Sequence, residues 1–561
     1  MRVKGQDVIR FKKTDLVGFA DAESDHEFLN NCFVETGNIE VLTNCNDPRC
    51  IILGRTGSGK TALVKRILQT QEHCIEISPE EMSLNYISNS NVIDFFDNIG
   101  VNLDLFYKLL WTHTFTVELI KNKYDITNRE KKTAFLDRIK SIVEKDRSKE
   151  KAIQYLENWG DKFWEETEAR VREITEEIEN TLRASAGANF SNVSLDAEGA
   201  KKLSTSQKME LKERGTKVVN KIQIQDLNNL IRLLSDDIFS DKQNNFYIVI
   251  DKLDEEWIDS NIKHRLIKSL IESIKSFKRV SSVKIIIALR TDLKNRVIKN
   301  TLSEGFQEEK YRSLYLELQW SRQYIRAILE SRVGHLFESM YTKHNVNLSH
   351  ILPTSEINKR KPADYIIDRT FLRPREAIIF LNICIKKAEG GTKITVGNIK
   401  AGEMEYSKDR INSLEDEWRS DYPLLKKYAD LISNKTSPFK AKTLISVFDD
   451  FALEIAALSG QGNDSDPILS SCKDYIYDKI SDNFEIVKLI VSILYKVGMI
   501  GLKLNPHIGR QWSYLDEPEI PISSIDRETQ IEVHETFWPI LGTQRASSRQ
   551  ISSSSEASGP F

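Results

Sequence analysis

A short segment near the start of the chain combines three glycines with a lysine and a threonine at fixed spacing. It reads Gly54-Arg55-Thr56-Gly57-Ser58-Gly59-Lys60-Thr61-Ala62. Glycines allow consecutive backbone N–H groups to turn inward around phosphate oxygens, and a helix that follows presents the positive end of its dipole. At this spacing Lys60 reaches the β- and γ-phosphates, and the Thr61 hydroxyl is a ligand for Mg²⁺. The segment therefore predicts a loop that binds ATP together with Mg²⁺.

The residues on either side of this loop favour the same interpretation. Cys50-Ile51-Ile52-Leu53 is an apolar run, which indicates a short buried strand, and ALVKRILQT, which follows Thr61, has the apolar spacing of a helix. Strand, glycine-rich turn and helix is the order that a phosphate-binding loop requires. The alternative is a chance glycine turn, which would not require that order.

A second apolar run ends in acidic residues, in the stretch FYIVIDKLDEEW. Asp251 ends the run and is placed to hold the hydration shell of Mg²⁺ as a second metal-binding residue. Asp254 and Glu255 follow within the same turn, where a carboxylate can take a proton from an attacking water. The stretch favours hydrolysis of ATP, although acidic residues also follow strands in ordinary loops.

Further runs complete the prediction of an α/β fold. Residues 74–77 and 283–289 have the composition of strands, the second ending in Arg290, and residues 313–318 alternate apolar and polar side chains. Because helical segments separate these strands, they predict a parallel sheet of the P-loop NTPase type.

These motifs, in this order, resemble the STAND branch of P-loop ATPases, which are signal-transducing relatives of AAA+ proteins, over roughly residues 19–382. In that family a small residue usually follows the first aspartate, whereas this chain has Lys252. The resemblance implies a sensor-1 role for Arg290 and a sensor-2 role for Arg375, because a guanidinium binds phosphate oxygens in a fixed fork. A surface salt bridge is the alternative for each arginine. In members of that family, the segment that corresponds to residues 19–25 usually carries the adenine contacts, so the resemblance implies adenine contacts there.

The chain also resembles a little-studied group of bacterial P-loop ATPases, through RTDL, LYLELQW and RPRE. The KAP group is a near neighbour, but it usually carries membrane-spanning segments where this chain has charged helix. The resemblance implies a bacterial origin and a role in phage defence or stress signalling.

The expected domain organisation follows from changes in composition along the chain. The predicted parts are an N-terminal segment with the first part of the ATPase core (1–100), a helical insertion (101–240), the second part of the core (241–325), a helical lid (326–430), a winged-helix-like domain (431–540) and a disordered tail (541–561). In the winged-helix-like domain, a helix from residue 484 precedes a hairpin with arms at 498–502 and 511–514. Five basic residues there are candidates for DNA contact, with protein packing as the alternative: Lys488, Lys496, Lys503, His507 and Arg510.

Composition limits the function classes. Eighty Lys and Arg against eighty-three Asp and Glu give 561 residues a net charge of −3, so long-range attraction to nucleic acid is absent. Six scattered cysteines without zinc-ligand spacing indicate reduced cytoplasmic thiols. The most apolar stretch is broken by lysines, so we expect no membrane span.

Three functions are compatible with these observations. The first is an ATP-hydrolysing switch that couples nucleotide state to self-assembly or to binding of a partner protein. The second is an ATP-regulated DNA-binding protein that acts through its winged helix. The third is a small-molecule kinase, against which the acidic stretch and the two arginines argue. No nuclease, protease or TIR-like effector signature accompanies them.

Overall fold

The protein is described by a computed structural model. It describes residues 10–79, 103–124, 155, 205, 209, 212, 229–241, 243–258, 260–301, 307–340, 346–460, 462–477, 482–515 and 520–546. Most of the predicted insertion and of the predicted tail lies outside these residues. The chain divides into two compact units. We call residues 35–55 and 60–318 the sheet unit, and residues 1–34, 56–59 and 319–561 the helical unit.

The sheet unit contains a parallel sheet of five strands in the order β2-β3-β4-β1-β5. The strands are β1 (Ile51–Gly54), β2 (Cys74–Ile77), β3 (Phe246–Ile250), β4 (Val283–Arg290) and β5 (Tyr315–Glu317). All residues of β1 and β3 are buried, as the continuous apolar runs predict for strands covered on both faces. The predicted α/β fold with a parallel sheet is confirmed.

Helices and short helical turns surround this sheet. They are the α-helices Asn38–Thr43, Lys60–Thr70, Asp104–Lys123, Ser260–Phe277 and Thr291–Thr301, the π-helix Leu233–Ile238 and the 3₁₀ helix Glu308–Leu314. Because that 3₁₀ helix takes up Ser313 and Leu314, β5 is shorter than the predicted strand 313–318. The indole N–H of Trp111 donates to the Leu266 carbonyl oxygen at 2.9 Å and ties the long helix Asp104–Lys123 to its neighbour.

A buried lysine anchors the chain that leads into β1. The Lys284 ammonium donates to the carbonyl oxygens of Val41, Asn44 and Asp47 at 2.8, 2.7 and 3.1 Å. Burial lowers the pKa of Lys284. The turn after the helix Asn38–Thr43 is therefore fixed to β4 through carbonyl oxygens that the helix end leaves unpaired.

The helical unit packs its helices around two apolar cores. The first core is formed by the N-terminal residues and by the helices His26–Cys32, Arg322–Met340, Leu348–Ile351, Pro362–Ile367, Pro374–Lys387 and Val396–Trp418. The second lies among the helices Leu425–Tyr428, Phe448–Ala456, Pro467–Ile476, Asn483–Lys496 and Trp538–Leu541 and the 3₁₀ helices Ala429–Ile432, Ala441–Val447, Ser513–Leu515, Ile522–Ser524 and Glu535–Phe537.

Short strands complete the second part of this unit. The strands β7 (Phe439–Lys440), β8 (Ile500–Lys503) and β9 (Gln530–Val533) form an antiparallel sheet in the order β7-β9-β8, and β6 (Thr436–Ser437) pairs in parallel with β10 (Gln544–Arg545). The predicted hairpin with arms 498–502 and 511–514 is present only in part, because Gln511 pairs with Leu502 and the chain then enters a 3₁₀ helix. β8 pairs along its length with β9, and the Trp512 ring covers Gly501, where an added Cβ would lie 2.6 Å from it.

None of the six cysteines, all within the described ranges, forms a disulfide. In the part of the chain that the structure describes, no helix is long and apolar enough to cross a membrane.

Candidate nucleotide-binding site

The glycine-rich loop connects β1 to the helix Lys60–Thr70, which we call the loop helix. Gly57 and Gly59 have φ angles of 76° and 90°, in the left-handed region that glycine adopts without strain. The two glycines therefore give the loop the sharp turns that bring backbone N–H groups toward one point. Thr61 and Ala62 lie in the first turn of the loop helix and are partly buried.

The side chain of Lys60 folds back over the start of the loop. Its ammonium donates to the carbonyl oxygens of Gly54 and Arg55 at 3.1 and 3.2 Å. Burial lowers the pKa of Lys60 to about 8, and the nearby carboxylates of Asp254 and Asp251 only partly oppose this. Within the sheet unit, the predicted phosphate-binding lysine therefore lies near both predicted acidic residues.

Asp251 follows β3 directly and is 7% exposed. Its Oδ1 accepts the backbone N–H of Lys252 at 2.9 Å, whereas its Oδ2 is buried and has no hydrogen-bond partner among the described residues. Burying a carboxylate oxygen without a hydrogen-bond partner costs free energy. Its presence therefore indicates a ligand that the chain itself does not supply. Lys252 has a φ angle of 63°, a strained value for a residue with a long side chain.

Arg290, the predicted sensor 1, is held by carboxylates. Its Nε and Nη2 each donate to an oxygen of Asp292 at 3.0 Å, and its Nη1 donates to Asp254 Oδ2 at 3.3 Å. The ion pair named as the alternative for this arginine therefore exists in this structure. It also joins two predicted catalytic residues, Asp254 and Arg290, at the ends of neighbouring strands.

The turn that carries Glu255 is held by backbone hydrogen bonds. The N–H of Glu255 donates to the Lys252 carbonyl oxygen at 3.1 Å, and the Glu255 carbonyl oxygen accepts from Lys263 Nζ at 2.7 Å. Asp254 and Glu255 are both exposed. Their side chains are therefore open to water.

In the helical unit, Arg375 lies against the tip of the loop. It occupies the second position of the helix Pro374–Lys387, which we call the lid helix. Its backbone N–H donates to the Gly57 carbonyl oxygen at 3.4 Å, and its Nε donates to the Ala20 carbonyl oxygen at 3.0 Å. An added Cβ on Gly57 would lie 3.1 Å from the Arg375 Cβ, so the close approach favours glycine. The predicted sensor 2 thus contacts the loop and the segment expected to carry adenine contacts.

That segment is held by side chains from the helical unit. Asn382 accepts from the N–H of Val17 at 2.8 Å and donates to the Gly18 carbonyl oxygen at 2.9 Å, and Asp25 accepts from the N–H of Phe19 at 2.7 Å. Arg332 in turn donates to Asp25 Oδ2 at 2.5 Å. The Phe19 side chain is half exposed.

Trp320 is a residue of the candidate site that the sequence analysis did not single out. Its indole N–H donates to the Ser58 carbonyl oxygen at 2.7 Å, and its ring lies 3.6 Å from where a Cβ on Gly59 would be. The hydroxyls of Thr56 and Ser58 in the same loop are buried without a partner among the described residues.

Taken separately in each unit, these groups fit ATP and Mg²⁺. A lysine, glycine turns and unpaired hydroxyls are phosphate-binding groups, and an unpaired aspartate oxygen is an oxygen ligand of the kind that Mg²⁺ prefers. Lys60 and the residues 54–62 would hold the phosphates, while Thr61 and Asp251 would hold the metal.

The basic residues proposed for DNA contact are mostly engaged. Lys488 pairs with Glu485 at 2.6 Å, and Arg510 pairs with Glu532. Lys496 lies over the ring of Trp418 at 5.5 Å. No observation among these favours DNA over protein packing.

The sheet, the loop after β1 and the aspartate after β3 define an α/β protein of the P-loop class. Residues 323–415 match the family described as the FunZ-associated C-terminal helical domain. No curated protein matches the chain.

Two solved structures show remote likeness. One is a Walker-type ATPase of Pyrococcus abyssi, with 11% identity and a TM-score of 0.33 over 94% of this chain and 99% of that one. The other is the Aeropyrum pernix ORC2 protein, solved as ADPNP–ADP complexes, with 10% identity and a TM-score of 0.32 over 95% of this chain and 94% of that one.

Proposed function

We propose that this protein binds ATP with Mg²⁺, hydrolyses it, and uses the nucleotide state as a switch for self-assembly or for binding a partner protein. The observation that carries the proposal is the buried, unpartnered Asp251 Oδ2 in the same unit as the partly buried ammonium of Lys60. A carboxylate oxygen and an ammonium, placed after two strands of one parallel sheet, suit a metal and a triphosphate.

In this proposal Lys60 exchanges its carbonyl partners, Gly54 and Arg55, for phosphate oxygens, and so keeps its charge compensated. Thr61 and Asp251 would hold Mg²⁺, which would supply positive charge next to the phosphates. Glu255 takes a proton from the attacking water, whose oxygen forms a bond to the γ-phosphorus while the bond from the γ-phosphorus to the bridging oxygen breaks. The products are ADP and inorganic phosphate. We assign the base to Glu255, whose side chain is exposed to water, and keep Asp254, which is ion-paired to Arg290, as the other candidate.

The finer parts of the proposal rest on the sequence resemblance and on the order of elements. We propose residues 326–430 as a lid and 431–540 as a winged-helix-like module, since the helix Asn483–Lys496 leads there into the antiparallel strands β8 and β9. A cytoplasmic location agrees with six free cysteines. Bacterial defence or stress signalling is the context that the resemblance to bacterial ATPases implies.

The proposal is tested with the full chain by measuring binding of ATP and release of phosphate, each with and without Mg²⁺. We expect Lys60→Ala to abolish binding, and Lys65→Ala, on the same helix, to retain it. Adding duplex DNA tests the DNA-binding alternative, and size-exclusion chromatography in ATP and in ADP tests assembly. Equal nucleotide binding by wild type and Lys60→Ala would refute the assignment of the site.

A further inference from the structure

Two consecutive residues before the lid helix have a backbone conformation that is rare for their types. Phe371 and Leu372 have φ angles of 49° and 52°. The left-handed conformation is strained for a residue with a Cβ, so surrounding contacts must hold this turn in place.

Those contacts come from residues near the C-terminus. The Phe371 ring is 4% exposed and lies 4.4 Å from the His534 ring, 5.3 Å from the Tyr514 ring and 5.9 Å from the Phe537 ring, measured between centroids. Phe537 and His534 are themselves buried. We call these four residues the aromatic cluster. Burying these rings against one another is favourable and opposes the strain of the turn.

The strained turn directly sets the start of the lid helix. Arg373 is the residue before that helix, and Pro374 fixes its first turn. The buried guanidinium of Arg373 pairs with Glu417 at 3.4 Å, which ties the turn to the helix Val396–Trp418. Arg375 then donates its backbone N–H to the Gly57 carbonyl oxygen in the loop, and its Cβ lies where a side chain on Gly57 would be. Only four positions along the chain separate Phe371 from the residue that contacts the loop.

We propose that Phe371 is a positioning residue for the glycine-rich loop. The aromatic cluster holds the Phe371–Leu372 turn, the turn sets the first turn of the lid helix, and Arg375 thereby holds the loop at Gly57. A substitution that loosens the aromatic cluster therefore loosens the loop and weakens nucleotide binding. The nucleotide part rests on the proposed function, whereas the effect on the loop does not.

The test compares Phe371→Leu with Phe448→Leu in the full chain. Phe448 is a fully buried ring in the same C-terminal core, and the rings it contacts, Phe451 and Tyr475, lie outside the aromatic cluster. Hydrogen exchange of the amides in residues 54–61 is measured without nucleotide, together with the melting temperature and the ATP dissociation constant. We expect Phe371→Leu to speed loop exchange severalfold and weaken ATP binding about fivefold, which corresponds to about 1 kcal/mol.

Phe448→Leu should lower the melting temperature similarly and leave both loop readouts unchanged. Phe537→Leu, which removes a ring from the cluster and leaves Phe371 itself intact, should reproduce the faster loop exchange, and it serves if Phe371→Leu does not fold. Unchanged loop exchange in Phe371→Leu or Phe537→Leu, or an equal change in Phe448→Leu, would overturn the inference. If wild type binds no ATP, the proposed function fails, but loop exchange still decides the role of Phe371.

Discussion

The backbone N–H of Lys252 donates to Oδ1 of Asp251 at 2.9 Å and leaves Oδ2 of the same carboxylate without a partner among the described residues. The left-handed conformation of Lys252, with φ at 63°, belongs to the turn in which this hydrogen bond forms. One oxygen is thus used to orient the carboxylate, and the other remains for a ligand. Lys252 stands where the STAND family usually has a small residue. It keeps this arrangement at the cost of local backbone strain.

Asp251→Asn should remove the contribution of Mg²⁺ to ATP binding. The amide oxygen can still accept from Lys252, so the turn is kept, but the charge that attracts the metal is lost. We expect Mg²⁺ to strengthen ATP binding by wild type about tenfold or more and to have little effect on the variant. Calorimetry with and without Mg²⁺ measures this, with Asp241→Asn, an exposed aspartate, as the control. A full Mg²⁺ effect in Asp251→Asn would contradict the assignment.

Nucleotide affinity should fall at alkaline pH because of Lys60. Burial lowers the pKa of its free ammonium to about 8, whereas bound phosphate favours the charged form and raises that pKa. Binding therefore takes up a proton above pH 8, and affinity declines as pH rises. We expect binding at pH 9 to be about tenfold weaker than at pH 7. Lys60→Arg, which stays charged, should bind weakly but with a flat profile over this range.

Single-turnover rates should distinguish the roles of Asp254 and Glu255. Glu255→Gln should slow single-turnover hydrolysis by about 10²-fold or more, as loss of a general base does, with ATP affinity retained. Asp254→Asn should have a smaller effect, since this side chain is ion-paired to Arg290 at 3.3 Å. Quench-flow measurements at saturating ATP distinguish them, and the reverse order of effects would move the base to Asp254.

Stability should decrease in mild acid because of His534. Burial lowers its pKa to about 3, and neighbouring Arg369, Arg410 and Arg360 add to this. Because the folded pKa lies below the unfolded value of about 6.5, the stabilising contribution is complete above pH 6.5 and is lost as pH falls toward 3. At pH 5 the loss is about 2 kcal/mol.

His534→Asn should abolish this part of the pH dependence. Asparagine can replace the cap that His534 provides to the N–H of Thr536, and it does not titrate. Urea unfolding at pH 7 and pH 5 should show a loss about 2 kcal/mol smaller in the variant than in wild type. Identical losses would show that His534 is protonated at little cost.

Trp320→Phe should weaken nucleotide binding about fivefold by removing the hydrogen bond to the Ser58 carbonyl oxygen, which contributes about 1 kcal/mol. The ring remains in place, so the fold should be retained. The matched control is Trp111→Phe, which loses an equivalent bond to the Leu266 carbonyl oxygen in the sheet core. That control should lower the melting temperature and leave ATP affinity unchanged. Equal affinities for wild type and Trp320→Phe would show that the indole does not hold the loop.

The sequence was sufficient for the features that depend on local chain order. The buried run that ends at Ile250 predicted β3, and its position placed Asp251 at the edge of the sheet. The role of Trp320 could not be predicted, because an indole after a strand has the same local pattern whether it fills a core or donates to a loop. The Arg290 ion pair was likewise only one of two alternatives, since the sequence does not specify the side-chain rotamer that brings the guanidinium to Asp292.

The buried Lys284 gives the region before the loop an unusual dependence on one side chain. Methionine at this position would match its length but would leave three carbonyl oxygens facing an apolar wall. The segment that leads into β1 would then lose its hydrogen bonds to the side chain on β4. Chemical acetylation of the Lys284 amine requires solvent access to it. Acetylation would therefore report that the segment before β1 had separated from β4.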